Sequence, residues 1–263
     1  MIRGLYCSTA AIDIQQARVE GISNNLANVS TPGFKQEYMQ VQSFPEALLV
    51  QMGGPNHRLP VPGKHQGIGF AGMGSLVAEV HTDQGSGDIQ ETGKATDMAL
   101  RGPGFFVVNL PPMAGSPAGL GYSRNGAFRT DAEGYLTTGG GHRVLGEGGP
   151  IRVEDRDFRV GPDGIIEAGG SVVDRLWLVE FANRDRLRRQ GADMFVDFRG
   201  EAGANRAVMT TVSQGRLERS NVNVVDQMAG LLAVMRSFEA NQRIIQAYDE
   251  QLAKAVNQVG SLR

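Results

Sequence analysis

Apolar residues recur every seven positions near the carboxyl end of the chain. They are Val224, Leu231, Phe238, Ile245, Leu252 and Val259. A second row, four residues further on, begins with two methionines and then turns polar: Met228, Met235, Gln242, Asp249 and Val256. Asn223 is a suitable N-cap, Gly260 is a suitable stop, and no proline interrupts the segment. The pattern predicts a long helix over about 224–259 that packs against another helix.

A second ladder with the same period lies near the amino end of the chain. Its members are Leu5, Ile12, Val19 and Leu26. The pattern predicts a helix from about Ile2 to Ala27, which ends before Pro32 and Gly33 because that pair disfavours helix. A seven-residue ladder is typical of a helix that packs against another helix, and the chain has one ladder at each end. We therefore expect the N- and C-terminal helices to pair as a coiled coil.

Three asparagines, Asn24, Asn25 and Asn28, crowd the last turn of the first helix, where they lower helix propensity. One interpretation is a frayed terminus. We favour a second, in which the side-chain amides hydrogen-bond to neighbouring chains and find those partners only after assembly. The candidate assembly residues are then Leu5, Ile12, Val19, Leu26, Asn24, Asn25, Asn28, Val224, Met228, Leu231, Met235, Phe238, Ile245 and Leu252.

Glycine and proline punctuate residues 33–80, which predicts an extended, turn-rich connector. Phe44–Val50 is compatible with one short helix, and Ser75–Val80 alternates like a strand. Gly67–Gly72 fits the formula G-x-G-x-x-G, but a strand pattern follows it where a dinucleotide site requires a helix. We therefore do not predict a nucleotide site there.

Turn signals recur every eight to twelve residues from about position 81 to 215, which predicts a mainly-β sandwich or barrel-like domain. Val172–Phe181 is expected to be its longest apolar strand. One core is expected, containing Phe105, Phe106, Phe128, Leu136, Trp177, Leu178 and Phe181. The predicted fold class is α+β in four segments: an N-terminal assembly helix (1–32), the connector (33–80), a central β domain (81–215) and a C-terminal assembly helix (216–263).

The composition of the chain argues against several classes of function. A net charge of −2 over 263 residues gives no basic excess, so nucleic acid is not an expected partner. Cys7 is the only cysteine, which excludes an intrachain disulfide or a cysteine-cluster metal site. No run of eighteen apolar residues exists, so we expect no membrane-spanning segment. The first twenty residues lack a continuous apolar core, and we expect no Sec-type signal peptide.

The sequence carries no recognisable catalytic or metal-binding motif. The four histidines, His57, His65, His81 and His142, do not pair at metal-ligand spacing. Neither a G-x-S-x-G elbow nor a phosphate loop occurs. We therefore expect a protein that is not an enzyme and has no cofactor or small-molecule substrate. The cluster of Arg184, Arg186, Arg188 and Arg189 is expected to be a solvated loop or short helix, with a binding patch as the alternative.

Both ends of the chain resemble a known family. Ser23–Lys35 is similar to the N-terminal signature of bacterial flagellar axial proteins, the rod and hook family. Ser220–Val224 and the long helix after it resemble the other end of that family. Three central stretches, 97–106, 122–126 and 134–136, also resemble it, so the likeness covers nearly the whole chain.

This resemblance implies a structural subunit of the flagellar basal-body rod. Such subunits leave the cell through the flagellar type III export channel and self-assemble into a hollow helical tube that passes motor torque to the hook. The implied partners are further copies, other rod and hook proteins and the export apparatus. In the family the terminal helices form the inner tube and the β domain lies outside. The alternative is a secreted or surface β-domain binding module with helical termini.

The subtype stays open at this level. Chain length excludes the short proximal rod proteins and the much longer hook protein. Gly146–Ile151 is more similar to the proximal rod member with one β domain, whereas the connector is closer in length to the distal member. Met1–Tyr6 and Phe44–Glu46 resemble the rod proteins of Gram-positive-type flagella.

The N-terminal ladder is narrow, because it provides only one large apolar residue in every seven positions. A helix with so narrow a stripe buries little apolar surface, while ordering its backbone costs conformational entropy at every residue. Isolated helices of this kind are marginal in water. We therefore expect the terminal helices to be largely unfolded in the free subunit and to fold on assembly.

Overall fold

A computed structural model of the chain describes residues 2–44, 47–51, 66–72, 74–111, 119–153, 158–198 and 200–260. His57, His65 and the middle of the predicted connector lie outside these residues. The helices are α1 (Ile2–Ala27), α2 (Val224–Gly260) and a short 3-10 helix (Arg184–Arg186). The strands, in chain order, are β1 (Glu37–Ser43), β2 (Ala47–Gln51), β3 (Gln66–Ala71), β4 (Ser75–Thr82), β5 (Ile89–Glu91), β6 (Met98–Arg101), β7 (Gly104–Asn109), β8 (Leu120–Ser123), β9 (Arg129–Thr130), β10 (Leu136–Thr137), β11 (Leu145–Gly146), β12 (Gly149–Pro150), β13 (Phe158–Val160), β14 (Ile165–Ala168), β15 (Ser171–Arg175), β16 (Leu178–Phe181), β17 (Arg188–Gln190), β18 (Met194–Val196), β19 (Ala204–Arg206), β20 (Thr211–Gln214) and β21 (Arg216–Glu218).

The chain divides into two compact units. The helical unit comprises Met1–Ser23, Tyr38–His81 and Val225–Arg263, and so holds most of α1, α2 and β1 to β4. The β unit comprises Asn24–Glu37 and Thr82–Val224, which contain β5 to β21. The last turn of α1 and the segment after it therefore group with the β unit.

Both terminal helices are present, as the seven-residue ladders predict. α1 has 26 residues, and α2 has 37 residues without a break. At a rise of 1.5 Å per residue α2 is about 56 Å long. Asp226 lies in its first turn, where a negative charge stabilises the helix dipole. The fold is α+β, with a helix at each end and a mainly-β region between them.

The predicted connector contains strands, and the short helix considered for Phe44–Val50 is wrong. In the helical unit β1 pairs with β4, and β2 pairs with β3 in antiparallel register. β2 covers Ala47–Gln51, so its first four residues lie in the range considered for the helix. Since a short apolar run has no distinguishable period, the pairing partner β3 decides its conformation. The strand predicted at Ser75–Val80 is confirmed as β4.

A six-stranded antiparallel sheet forms the centre of the β unit, in the order β17-β18-β8-β7-β16-β19. The first five residues of β7 are all buried. Because side chains alternate along a strand, Phe106 and Val108 enter one hydrophobic cluster, whereas Phe105 and Val107 enter another. The sheet is thus covered on both faces, and the expectation of a single core is wrong.

Trp177 is the exception among the predicted core residues, since 36% of its surface is exposed. The expected long strand over Val172–Phe181 is also wrong, because β15 and β16 are separate and belong to different sheets. Between them the Trp177 amide donates to the Leu145 carbonyl at 3.1 Å. The chain changes sheets at this point, and the indole stays at the surface.

The end of the β unit returns to its beginning. β20 pairs with β6, and β21 pairs with β5, both antiparallel. The β21 register places Glu218 opposite Ile89 and Arg216 opposite Glu91. Residues that lie just before α2 are thereby brought next to the start of the second segment of the β unit, Thr82–Val224.

Candidate assembly interface and buried charge cluster

The two terminal helices contact each other at two points within the helical unit. A Cβ atom added to Gly4 would lie 2.7 Å from Cζ of Tyr248, and one added to Gly230 would lie 3.7 Å from Cδ1 of Ile22. Ile22 follows Gly4 by eighteen residues, and Tyr248 follows Gly230 by the same number. The helices therefore run in opposite directions between these two contacts.

The covered face of α2 follows the predicted ladder for its first half. Val224, Leu231, Phe238 and Ile245 are half-buried. The second covered row lies three residues after them, with Gln227 buried and Val234, Asn241 and Tyr248 half-buried. The predicted row at four residues is not the covered one, because Met228 and Met235 are each 50% exposed. Seven-residue periodicity allows either row, and only the position of the neighbouring elements selects one.

The methionines form part of a second, exposed stripe on α2. Met228, Leu232 and Met235 are 50%, 59% and 50% exposed, with spacings of four and three residues that place them on one face. The same face turns polar further along, at Glu239 and Gln242. The exposed stripe is therefore confined to the first three turns of the helix. Single exposed apolar residues are normal, but an aligned set indicates a packing surface.

The ladder residues of α1, Leu5, Ile12, Val19 and Leu26, are half-buried. The most buried apolar residue of this helix is Ile14, at 7% exposure, which lies off the ladder. α1 meets α2 and also approaches other parts of its unit, since Cβ atoms built on Gly21 and Gly74 would lie 3.1 Å from Met39 and 3.2 Å from Ala10. Leu252 of α2, a predicted interface residue, is 38% exposed.

The asparagines at the end of α1 have partners within the chain, so the expectation that they find them only after assembly is wrong. Asn25, 2% exposed, donates from Nδ2 to the Glu37 carbonyl at 2.8 Å and accepts from the Glu37 amide at 3.0 Å. The side-chain amide of Asn25 thus bonds the Glu37 backbone as a neighbouring strand would. The Asn28 side chain donates to the Asn24 carbonyl at 2.9 Å, and the same carbonyl also accepts from the Asn28 backbone amide at 3.2 Å.

Three charged side chains form a buried charge cluster in the β unit. Lys35 Nζ lies 2.6 Å from Glu218 Oε1, and Arg124 Nη1 lies 3.4 Å from Glu218 Oε2. The side chains of Lys35, Glu218 and Arg124 are 0%, 1% and 2% exposed. The cluster joins the segment after α1, a central loop and the strand before α2. Sequence reasoning did not predict it.

Backbone groups add hydrogen bonds to the charge cluster, although the buried Nε of Arg124 has no hydrogen-bond partner among the described residues. Lys35 also donates to the Gly85 carbonyl at 2.7 Å, and Arg124 Nη2 donates to the Gly102 carbonyl at 2.7 Å. Glu218 Oε1 accepts from the Gly87 amide at 3.0 Å. Burial lowers the pKa of both Lys35 and Arg124, and the Glu218 carboxylate opposes this effect by stabilising their charged forms.

Gly33 packs directly against the charge cluster. Its amide donates to the Glu218 carbonyl at 2.8 Å. Its φ is +68°, and an added Cβ would lie 2.5 Å from the Arg124 carbonyl oxygen and from the Asn125 amide nitrogen. The site therefore requires glycine for its backbone conformation and for its close approach.

One member of the predicted arginine cluster supports the same region. Arg189 packs over the Phe34 ring at 4.1 Å, lies 3.0 Å from Glu37 Oε1 and donates to the Lys35 carbonyl at 2.7 Å. Burial lowers its pKa, which the Glu37 carboxylate opposes. The interpretation of this cluster as a solvated loop or short helix is confirmed for Arg184–Arg186, a 3-10 helix in which Arg186 is 61% exposed. It is wrong for Arg189, whose side chain is 9% exposed.

Features suited to ligand chemistry are sparse in the described residues. They contain no group of three or more His, Cys, Asp or Glu side chains that could hold a metal ion. Within them, no helix is both long and apolar enough to cross a membrane. One open depression of about 500 Å³ lies beside Trp177, lined by Leu145 and Leu178, with the Glu147–Arg206 ion pair at its rim.

The chain has a long helix at each end and a β unit between them, and one helix carries an exposed apolar stripe. These features are typical of the class of self-assembling structural subunits. Three family models match the chain. Residues 5–35 match the model described as flagella basal body rod protein, residues 99–168 the flagellar hook protein FlgE/F/G D1 domain, and residues 213–259 the flagellar basal body rod FlgEFG protein C-terminal.

Full-length relatives show the same likeness. The flagellar basal-body rod protein FlgG of Bacillus subtilis is 30% identical over 271 aligned positions, which cover 98% of this chain and 99% of the relative. The flagellar hook-basal body complex protein FlhO of the same species is 29% identical over 100% of both chains. FlgF of Caulobacter vibrioides is 28% identical over 100% of both chains. The chain belongs to the family of flagellar basal-body rod proteins.

Proposed function

We propose that this protein is a structural subunit of the bacterial flagellar basal-body rod, where it polymerises into a hollow helical tube that transmits motor torque to the hook. The observation that carries the proposal is the 30% identity to a rod protein along 98% of the chain, including both terminal helices. The role requires contacts between subunits and no active site. A rod built by heterologous contacts needs two different surfaces on each subunit.

The pairing of α1 and α2 as a coiled coil supplies the first part of this mechanism. The seven-residue ladders on both helices and the half-buried ladder residues of α2 support it. The contacts at Gly4 and Gly230 support an antiparallel pair. Since α1 is 26 residues long and α2 is 37, part of α2 extends beyond its partner and is available to neighbouring subunits.

The exposed stripe of Met228, Leu232 and Met235 is the proposed docking face for a neighbouring subunit. Its residues present apolar area in the first three turns of α2, next to the covered row. Methionine side chains adapt to irregular apolar surfaces, which suits contacts with copies of this chain and with other rod and hook proteins. The candidate residues Leu5, Ile12 and Val19 are assigned to the contact between the terminal helices within the helical unit.

Localisation in the flagellar basal body follows from the proposed role. Export through the flagellar type III channel is part of the proposal, since a rod subunit must leave the cytoplasm to reach its site. The terminal helices are proposed to form the inner tube of the rod.

Polymerisation of the purified full-length protein tests the docking face. We expect helical filaments by electron microscopy at high protein concentration, and their loss in the triple variant Met228→Gln, Leu232→Gln, Met235→Gln. The matched control changes the polar part of the same face, by Glu239→Gln and Gln242→Ser, and should polymerise normally. The fluorescence of Trp177 should show an intact β unit in every variant. Normal filaments from the triple variant would exclude this face as the contact.

A further inference from the structure

The chain passes between the helical unit and the β unit four times, after residues 23, 37, 81 and 224. Just inside the β unit, the side chains of two asparagines hold the backbone of the crossing segments. Asn25 bonds both the carbonyl and the amide of Glu37, at 2.8 and 3.0 Å. Asn221 accepts from the Gln36 amide at 2.7 Å and donates to the Asp83 carbonyl at 3.0 Å.

These bonds connect all four crossing segments within the β unit. Asn25 lies beside the first crossing and Glu37 beside the second. Asp83 lies beside the third crossing and Asn221 beside the fourth. A direct backbone bond from the Asp83 amide to the Gln36 carbonyl, at 2.8 Å, joins the second and third. A primary amide offers one donor side and one acceptor side, so it can take the place of the backbone of a strand partner.

The buried charge cluster lies in the same segments and fixes them. Lys35 precedes the second crossing by two residues, and Glu218 precedes the fourth by six. Their contact at 2.6 Å and the Gly33–Glu218 backbone bond at 2.8 Å hold the two segments together. Arg124 contacts Glu218 at 3.4 Å and links it to the bend between β6 and β7 through the Gly102 carbonyl. Because Glu218 is the anion for two buried cations, loss of either contact leaves a buried charge without compensation.

We propose that Lys35, Glu218 and Arg124 are positioning residues that keep residues 24–37 and 216–224 folded into the β unit of the unassembled subunit. The C-terminal end of α1 and the N-terminal end of α2 are then ordered before any neighbouring subunit is present. This goes beyond the proposed function, because it concerns the free chain and holds whether or not the protein forms a rod. It also separates these segments from the remainder of α1 and α2, for which we expect folding on assembly.

Hydrogen exchange of the dilute full-length protein, measured at single amides, tests the proposal. The informative amides are those of Gly33, Gln36, Glu37 and Gly87, each of which donates to a partner in this region. In the wild type we expect exchange slower than in an unstructured peptide by a factor on the order of 100. Lys35→Met should accelerate it at least about tenfold, while amides of β7 stay slow.

The matched control is Lys94→Met, since Lys94 is an exposed lysine of the same unit, and this variant should leave all four amides slow. If Lys35→Met unfolds the β unit, as the Trp177 fluorescence will show, Asn221→Ala replaces it. That variant keeps every charge of the cluster and should accelerate Gln36 while Gly87 stays slow. Fast exchange of the four amides in the wild type overturns the proposal. So does a Lys35→Met profile equal to that of Lys94→Met, or an unchanged Gln36 amide in Asn221→Ala.

Discussion

Replacing the buried carboxylate by an amide, Glu218→Gln, should strongly destabilise the β unit. The change keeps the size of the side chain and removes its charge. Glu218 accepts from Lys35 at 2.6 Å, from the Gly87 amide at 3.0 Å and from Arg124 at 3.4 Å. A glutamine in the same place turns one of the two acceptor oxygens into a donor that faces other donors, and it leaves two buried cations without an anion.

The expected cost follows from burial. Removing one partner from a buried ion pair costs about 3–5 kcal/mol, whereas an exposed ion pair contributes about 0–1 kcal/mol. Glu218 is 1% exposed and serves two cations, so we expect a loss of about 4 kcal/mol. With a denaturant slope of about 2 kcal/mol per M, the urea midpoint should fall by about 2 M.

Glu91 provides a matched control on the neighbouring strand. It pairs with Arg216 at 3.9 Å, and its side chain is 77% exposed. Glu91→Gln makes the same chemical change and should alter the free energy of unfolding by less than about 0.5 kcal/mol. Urea unfolding followed by the fluorescence of Trp177, the only tryptophan, reports on the β unit in both variants. Equal midpoints for Glu218→Gln and Glu91→Gln would refute the reasoning that the charge of Glu218 holds this region together.

Three further predictions concern the stability of the fold, the first two measured by the same urea unfolding. Gly33→Ala should cost more than about 2 kcal/mol, because φ is +68° and the added Cβ meets backbone atoms, whereas Gly139→Ala, with open space around it, should be nearly neutral; equal effects would contradict this. Burial lowers the pKa of Lys35 below 10.5, so the folded protein binds fewer protons than the unfolded chain between the lowered pKa and 10.5. The free energy of unfolding should therefore rise with pH across that window relative to Lys35→Met, and a falling difference would show the opposite sign. Gly230→Ala should raise the helical melting temperature through helix propensity, worth up to about 1 kcal/mol, and Gly4→Ala should gain less because a tyrosine ring must move aside, as circular dichroism of the assembled protein can measure.

Local periodicity determined the parts of this protein that depend on neighbours along the chain. The seven-residue ladders at either end predicted both helices, because such a repeat places one face of a helix against a partner whatever that partner is. Short alternating runs and turn residues predicted the mainly-β region. The signature around Pro32 and Gly33 pointed to the family that the comparisons then showed.

Tertiary structure decided which of several equivalent local patterns is used. Both Met228 and Gln227 fit a helical stripe beside Val224, and only the neighbouring elements select the row at three residues. Trp177 fits a buried strand by composition, but it lies where the chain changes sheets, so it stays at the surface.

The charge cluster was the feature that could least be predicted from the sequence. Lys35 and Glu218 are 183 residues apart, and nothing in the local pattern of either marks a buried charge. A lysine in an irregular segment and a glutamate at a strand end are ordinarily solvated, and burial becomes favourable for them only once Arg124, backbone carbonyls and the two crossing segments surround them. Periodicity therefore specifies the elements, whereas the pairing of distant polar groups emerges only when the fold brings them together and removes water.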